Sequence, residues 1–143
     1  MGESSTDRGR TITLAATVEN IAKVTAFLEQ ELEARDCPVK AAMQISVAAD
    51  EIVTNIAMYA YTPGSGDVTV TFAFDAETRT AEITFMDSGT PFDPLKKADP
   101  DVTLSAEERE IGGLGIFLVK KTMDEVLYRR EDGRNILTIR KKI

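Results

Sequence analysis

Residues 66–87 read GDVTVTFAFDAETRTAEITFMD. From Asp67 to Asp75 polar and apolar residues alternate, with Val68, Val70, Phe72 and Phe74 on one side. The alternation returns from Arg79 to Asp87, with Ala81, Ile83 and Phe85 on one side and Ala76-Glu77-Thr78 as the turn. Successive side chains of an extended strand leave on opposite faces, so this period of two marks half-buried strands. Two such runs joined by a short polar turn predict an antiparallel hairpin with one apolar face to be covered.

The cover comes from either side of the hairpin. Upstream, RTITLA at 10–15 alternates and predicts a first strand. Thr17 is placed to cap a helix running to about Arg35, with Val18, Ile21, Val24, Phe27, Leu28 and Leu32 on its apolar side. Asp36-Cys37-Pro38 ends it, because proline cannot continue a helix and disfavours helical geometry in the residue before it. A second helix is expected from about Val39 to Tyr59, with Ile45, Ala49, Ile52, Val53, Ile56 and Tyr59 within one broad apolar arc. After Asp87 the pattern dissolves for roughly twenty-five residues rich in Pro, Asp, Lys and Glu, a length that is either functional or disordered in a small domain. A third helix starts near Gly115 and runs to about Met123. DEVLYRRE (124–131) and RNILTIRKK (134–142) read as two closing strands, joined at the hairpin dipeptide Asp132-Gly133. The order predicts an α/β (α+β) two-layer sandwich: a mixed, mostly antiparallel sheet with helices on one face. Residues 1–9 are expected to be a disordered lead-in, and 10–143 a single domain.

Composition narrows the chemistry. The formal charge is -7, against a nucleic-acid binder, and no apolar run approaches the ~20 residues that span a membrane. The chain has one cysteine, Cys37, and no histidine. An internal disulfide, a His/Cys zinc site and any His-based catalytic pair are therefore impossible, and a cytoplasmic setting is expected. Acid–base chemistry falls to carboxylates. MGESST fits the myristoylation spacing formally but lacks a basic cluster to supply a second membrane signal, and no signal peptide is read here.

Three stretches carry polar groups that a core does not need. Glu51 and Asn55 lie four apart in the second helix and share the margin of its apolar arc. They are either a polar edge or a cation site, in which a carboxamide oxygen ligates Mg²⁺ and a carboxylate orients or deprotonates a nucleophile. In MDSGTPFD (86–93), Asp87 ends a strand before Gly89. That is either turn chemistry or an acceptor for a ligand amino group, with the glycine letting backbone approach a flat ring. GGLGIFLVKK (112–121) places Gly112, Gly113 and Gly115 at the entry to a helix. It is either a hinge or a phosphate cradle, though GK[ST] is absent and no strand leads into it as a dinucleotide fingerprint requires.

Taken in order, these stretches resemble the GHKL ATPase superfamily with its Bergerat nucleotide fold, and within it the anti-sigma factor serine/threonine kinases of the RsbW type. The resemblance runs from about Arg10 to the end and is most specific in DEIVTNIAMYAY (50–61), DSGTPFDP (87–94) and GGLGIFLVKKTMDEV (112–126). It implies ATP/ADP and Mg²⁺ as cofactors. Asn55 would be the metal ligand and Glu51 the general base. Asp87 would read the adenine amino group with Gly89 beneath the base, and Gly112, Gly113, Leu114 and Gly115 would cradle the phosphates. A lid at about 90–114 would close over them, bringing Arg109 to the terminal phosphate ahead of Lys96 and Lys97. The closing strand departs from the family pattern: Asn135-Ile136 stands where a threonine commonly precedes an aliphatic residue. Thr138 is the candidate further along, and which residue assists Asp87 stays open.

The resemblance also implies a partner-switching module. The chain would hold a sigma factor and phosphorylate a serine or threonine of a small STAS-type anti-anti-sigma protein, acting as a homodimer. The uncovered sheet face and Tyr59 and Tyr61 are candidate contact surfaces. Two readings compete: a kinase, which needs Glu51 as base, and an adaptor that binds nucleotide and partner but transfers nothing.

Overall fold

The structure, a computed structural model, describes residues 6–61, 64–96 and 113–143. Strand β1 (Thr6–Ala15) leads through a 3-10 turn (Val18–Asn20) into α1 (Ile21–Glu33) and α2 (Val39–Asn55). A π-helical turn (Ile56–Ala60) follows, then β2 (Asp67–Asp75), β3 (Thr80–Asp87), a 3-10 turn (Pro94–Lys96), α3 (Gly113–Thr122), β4 (Glu125–Glu131) and β5 (Arg134–Lys142). The sheet order is β1-β2-β3-β5-β4, and every pairing is antiparallel. The expected mixed sheet is thus corrected, since none of these pairs is parallel. β1 begins at Thr6, inside the stretch expected to be a disordered lead-in, because Thr6 and Asp7 already pair with Asp75 and Phe74.

Strand alternation decides the two layers as expected. Val68, Val70, Phe72 and Phe74 of β2 and Ala81, Ile83 and Phe85 of β3 are buried with Leu137 and Ile139 of β5. They pack on Val24, Leu28 and Leu32 of α1 and on Ile45, Ala49, Ile52 and Val53 of α2. The opposite sheet face carries threonines that bond across strands, Thr11 to Thr71 at 3.1 Å and Thr13 to Thr69 at 3.0 Å. Two residues expected on buried arcs are out: Val18 is 62% exposed and Tyr59 40%. Val18 precedes the α-helix in a turn of tighter pitch, and Tyr59 lies in the π turn, where the 100° step of an α-helix no longer applies. Thr17 makes no side-chain cap; Asn20 instead donates its amide to the Ala15 carbonyl at 2.8 Å.

The end of α1 also differs from expectation in its cause. Asp36 takes a left-handed conformation, φ 55°. The Cys37 N–H then reaches the Leu32 carbonyl at 3.1 Å and the Asp36 N–H reaches Glu33 at 3.0 Å, the two bonds of a Schellman motif. The helix is therefore closed before Pro38 acts, and Pro38 serves as the entry to α2. At the other hairpin Asp132 and Gly133 have φ 52° and 75°, as a two-residue turn with both positions left-handed requires. Asp36→Gly removes a Cβ penalty at a position where glycine is preferred. It is expected to raise the free energy of urea unfolding by about 0.5–1 kcal/mol, with an unchanged slope.

Candidate functional site

The period of two that builds β3 runs Ala81, Ile83, Phe85, Asp87, so the last core-facing position of this interior strand is an aspartate, 5% exposed. Its neighbours in register are Val68 on β2 and Asn135 on β5. Burying a carboxylate demands hydrogen-bond donors. Asp87 Oδ1 accepts the Gly89 N–H and the Asn135 Nδ2–H, each at 2.9 Å. Its other oxygen, Oδ2, has no donor among the described residues.

Asn55, 8% exposed, ends α2 across from this strand end. Glu51 and Asn55 lie one turn apart on α2, and the Asn55 carboxamide favours the ionised form of the Glu51 carboxylate. The Asn55 carboxamide carries a carbonyl oxygen that can act as an acceptor or metal ligand. Glu51 has its pKa raised from the ordinary carboxylate value, chiefly by burial, then by the neighbouring Asp50 charge, with the Asn55 hydrogen bond opposing. A base with raised proton affinity is better suited to take a hydroxyl proton.

Between Asn55 and Asp87 lies a slot that is partly open to solvent. Its walls are mostly apolar, with Ile52, Phe85, Ile116 and Leu137 among them, and Phe92 and Pro94 from the loop after β3. The polar groups at its edge are Asn55, Asp87, Asn135 and Tyr128. Such a slot suits a flat ring held between aliphatic groups and read by one acceptor. Gly113, Leu114 and Gly115 open α3, whose Ile116 lines the slot, so that helix start lies at its rim with backbone N–H groups unpaired within the helix. Asn55, Asp87 and the start of α3 therefore converge as anticipated. Arg109, Gly112, Lys97 and most of the expected lid lie outside the described residues, and Lys96 ends the 3-10 turn.

Three assignments are revised. Thr138 faces the opposite side of the sheet, where its hydroxyl lies 3.3 Å from that of Thr84; the alternation that turns Asn135 and Leu137 inward turns Thr138 outward. Gly89 has a reason within the protein besides the expected ligand role: a Cβ there would lie 2.2 Å from the Ala60 carbonyl oxygen. Tyr61, considered as a contact surface, is engaged internally. Its hydroxyl donates to the Asp67 carbonyl at 2.6 Å and accepts the Ser88 N–H at 2.7 Å.

Sequence reasoning missed Ala60 and Tyr128 and left Asn135 unassigned. The π turn after Asn55 presents the Ala60 carbonyl to the Thr90 N–H at 2.8 Å, joining the end of α2 to the loop beyond Asp87. Tyr128 was visible only as an alternating residue of a closing strand. A π turn directly beyond a functional residue is a recurrent arrangement.

Two outcomes follow. Gly89→Ala should lower stability by about 1–3 kcal/mol even without ligand, because backbone must move to admit the methyl; urea unfolding of the free protein checks this, and unchanged stability would leave Gly89 with the ligand-facing role alone. For Glu51, a raised folded pKa means that the folded state holds the proton more tightly than the unfolded chain. The stability this provides is complete below the ordinary value of 4.5 and is lost as pH rises through the folded pKa. Glu51→Gln should therefore have a higher Tm than the parent at pH 7, and the gap should close towards pH 4.

Comparison with known proteins agrees with this geometry. Residues 14–141 match the family described as Histidine kinase-like ATPase domain. The serine/threonine-protein kinase BtrW of Bordetella bronchiseptica is 30% identical over 95 residues, 66% of this chain and 66% of its own. The serine-protein kinase RsbW of Bacillus cereus is 29% identical over 97 residues, 65% of this chain and 59% of its own. RsbW of Listeria monocytogenes is 30% identical over 97 residues, covering 65% and 61%. The match thus spans less than two thirds of each relative's length. Among solved structures, the RsbU and RsbW domains of a Mycobacterium tuberculosis protein superpose with a TM-score of 0.64 at 16% identity, over 94% of this chain and 32% of that one. The histidine kinase domain of a blue-light activated histidine kinase from Erythrobacter litoralis superposes with a TM-score of 0.57 at 15% identity, over 99% and 69%. With the family matched across β2 to β5 and all three helices, the chain belongs to the histidine kinase-like ATPase domain family.

Proposed function

We propose that this chain binds Mg-ATP in the slot between Asn55 and Asp87 and transfers the terminal phosphoryl group to a serine or threonine hydroxyl of a separate small regulatory protein. The observation that carries the reading is the pairing of two acceptors at one apolar slot. Asp87, whose Oδ2 has no donor among the described residues, and Asn55 both line the slot, as does Ile116 of α3, whose start suits phosphates. An adenine ring fits the apolar walls, and its amino group supplies the donor that Oδ2 lacks.

The residues present suit Mg²⁺ held largely by the nucleotide. Among the described residues no cluster of three or more His, Cys, Asp or Glu could cage a metal. One carboxamide oxygen plus phosphate oxygens is how Mg²⁺ is commonly bound in phosphoryl-transfer sites. The ion when bound would neutralise phosphate charge. The chain's own groups do the rest. Asn55 offers its carbonyl oxygen; the N–H groups opening α3 orient the phosphates; Glu51 takes the proton of the acceptor hydroxyl. That oxygen then bonds to the γ-phosphorus as the bond to the β–γ bridging oxygen breaks and ADP leaves.

The acceptor is read as a serine or threonine on a STAS-type anti-anti-sigma protein, with a sigma factor as the alternative partner and a homodimer as the working unit. The names of the relatives, serine-protein kinase RsbW and serine/threonine-protein kinase BtrW, support the serine or threonine acceptor, and the partners and the homodimer follow from the resemblance of the motifs. Phosphate added at a protein interface weakens it by charge and desolvation, which is how transfer would release one partner in favour of the other.

Calorimetric titration with ADP and ATP, with and without Mg²⁺, is the first test; absence of binding overturns the reading. Asn55→Ala should remove the Mg²⁺-dependent part of the affinity while leaving the fold intact by circular dichroism. Glu51→Ala should keep ATP binding and lower phosphate transfer by about 10²-fold or more. Binding in the parent with no transfer to any serine of a STAS partner would leave a nucleotide-binding adaptor that sequesters its partner.

A further inference from the structure

The site contains a residue whose hydrogen bonding is complete. Asn135 is 5% exposed and sits opposite Asp87 in the β3–β5 ladder. Its amide nitrogen donates to Asp87 Oδ1 at 2.9 Å and to the Thr90 carbonyl at 2.8 Å. Its carbonyl oxygen accepts the Tyr128 hydroxyl at 2.5 Å and the Phe92 N–H at 3.3 Å. A carboxamide has two N–H donors and two acceptor positions, and all four are engaged inside the protein. Although Asn135 lines the slot, it has nothing left to offer a ligand.

We propose that Asn135, braced by Tyr128, is a positioning residue that sets which nucleobase the site accepts. It acts through Asp87. With Oδ1 held by Asn135 and by the Gly89 N–H, the carboxylate cannot turn without breaking two buried hydrogen bonds, so Oδ2 alone is presented to the slot. A lone fixed acceptor favours a 6-amino purine, which donates there, and rejects a 6-oxo purine, whose oxygen would face it unpaired. The same amide fixes the carbonyl of Thr90 and the N–H of Phe92, and Phe92 and Pro94 form part of the wall around the slot. Acceptor and wall are thereby set by one side chain. The inference rests on the nucleotide reading above and adds the source of its selectivity.

The test is calorimetric affinity for ADP and for IDP, which differ at the 6-position, in the full chain and in Asn135→Ala and Tyr128→Phe. The parent should prefer ADP. In Asn135→Ala, water replaces the amide, Asp87 can turn or accommodate a bridging water, and the ADP-to-IDP preference should fall by about tenfold. Tyr128→Phe removes one hydroxyl and keeps the ring, and should lower the preference in the same direction by a smaller factor. A merely structural role would weaken both ligands together and lower Tm while leaving the ratio alone. A ratio within about twofold of the parent in Asn135→Ala therefore overturns the proposal. Should that variant not fold, an unchanged ratio in Tyr128→Phe overturns it instead. Absence of ADP binding by the parent would fail the nucleotide reading itself, a result distinguishable from retained preference in the variants.

Discussion

Placing a carboxylate on the core side of an interior strand is the constraint around which this molecule is organised. Asp87 sits where the alternation of β3 would otherwise put another Ala, Ile or Phe, and a nearly buried carboxylate is tolerated only with donors to hold it. One donor comes from the backbone two residues on and the other from Asn135 across the ladder. Satisfying Oδ1 from inside the protein leaves Oδ2 as an acceptor facing an apolar slot. The proposed binding property and the folding solution are the same arrangement viewed from two sides.

The opposite end of the slot is tied to this one through backbone. α2 does not simply stop after Asn55; a π turn carries the chain to Ala60, whose carbonyl accepts the Thr90 N–H. Gly89 has no Cβ because Ala60 occupies that space, and Arg130 completes the junction by donating to the Gly89 carbonyl at 2.8 Å. The spacing of Asn55 and Asp87 thus depends on a backbone contact rather than on flexible side chains. This is how a small domain can hold two acceptors in a fixed relation before any ligand arrives.

Opposite Asp87 the closing strand supplies a carboxamide, and a carboxamide can bridge more groups than a hydroxyl. Asn135 uses that capacity to join β3, β4 and the loop at 90–92, at the cost of contacting nothing in the slot itself. Thr138, the nearest threonine in sequence, is excluded by parity alone: three residues along a strand means the opposite face.

Local pattern by itself determined the two layers, because a period of two in 67–87 and 134–142 and a period near 3.6 in 21–55 leave apolar faces that must meet. It also marked Glu51, Asn55, Asp87 and the glycines before α3, since each is a polar or backbone-exposing group set against an apolar run. Register and close approach were left to the tertiary structure. Which residue of β5 stands opposite Asp87, which atoms crowd Gly89, and how the chain turns after Asn55 depend on distances between segments tens of residues apart. Side-chain periodicity within one segment carries no information on those distances. The sequence therefore sufficed to mark polar groups set against apolar runs, while only the folded chain decided what holds them in place.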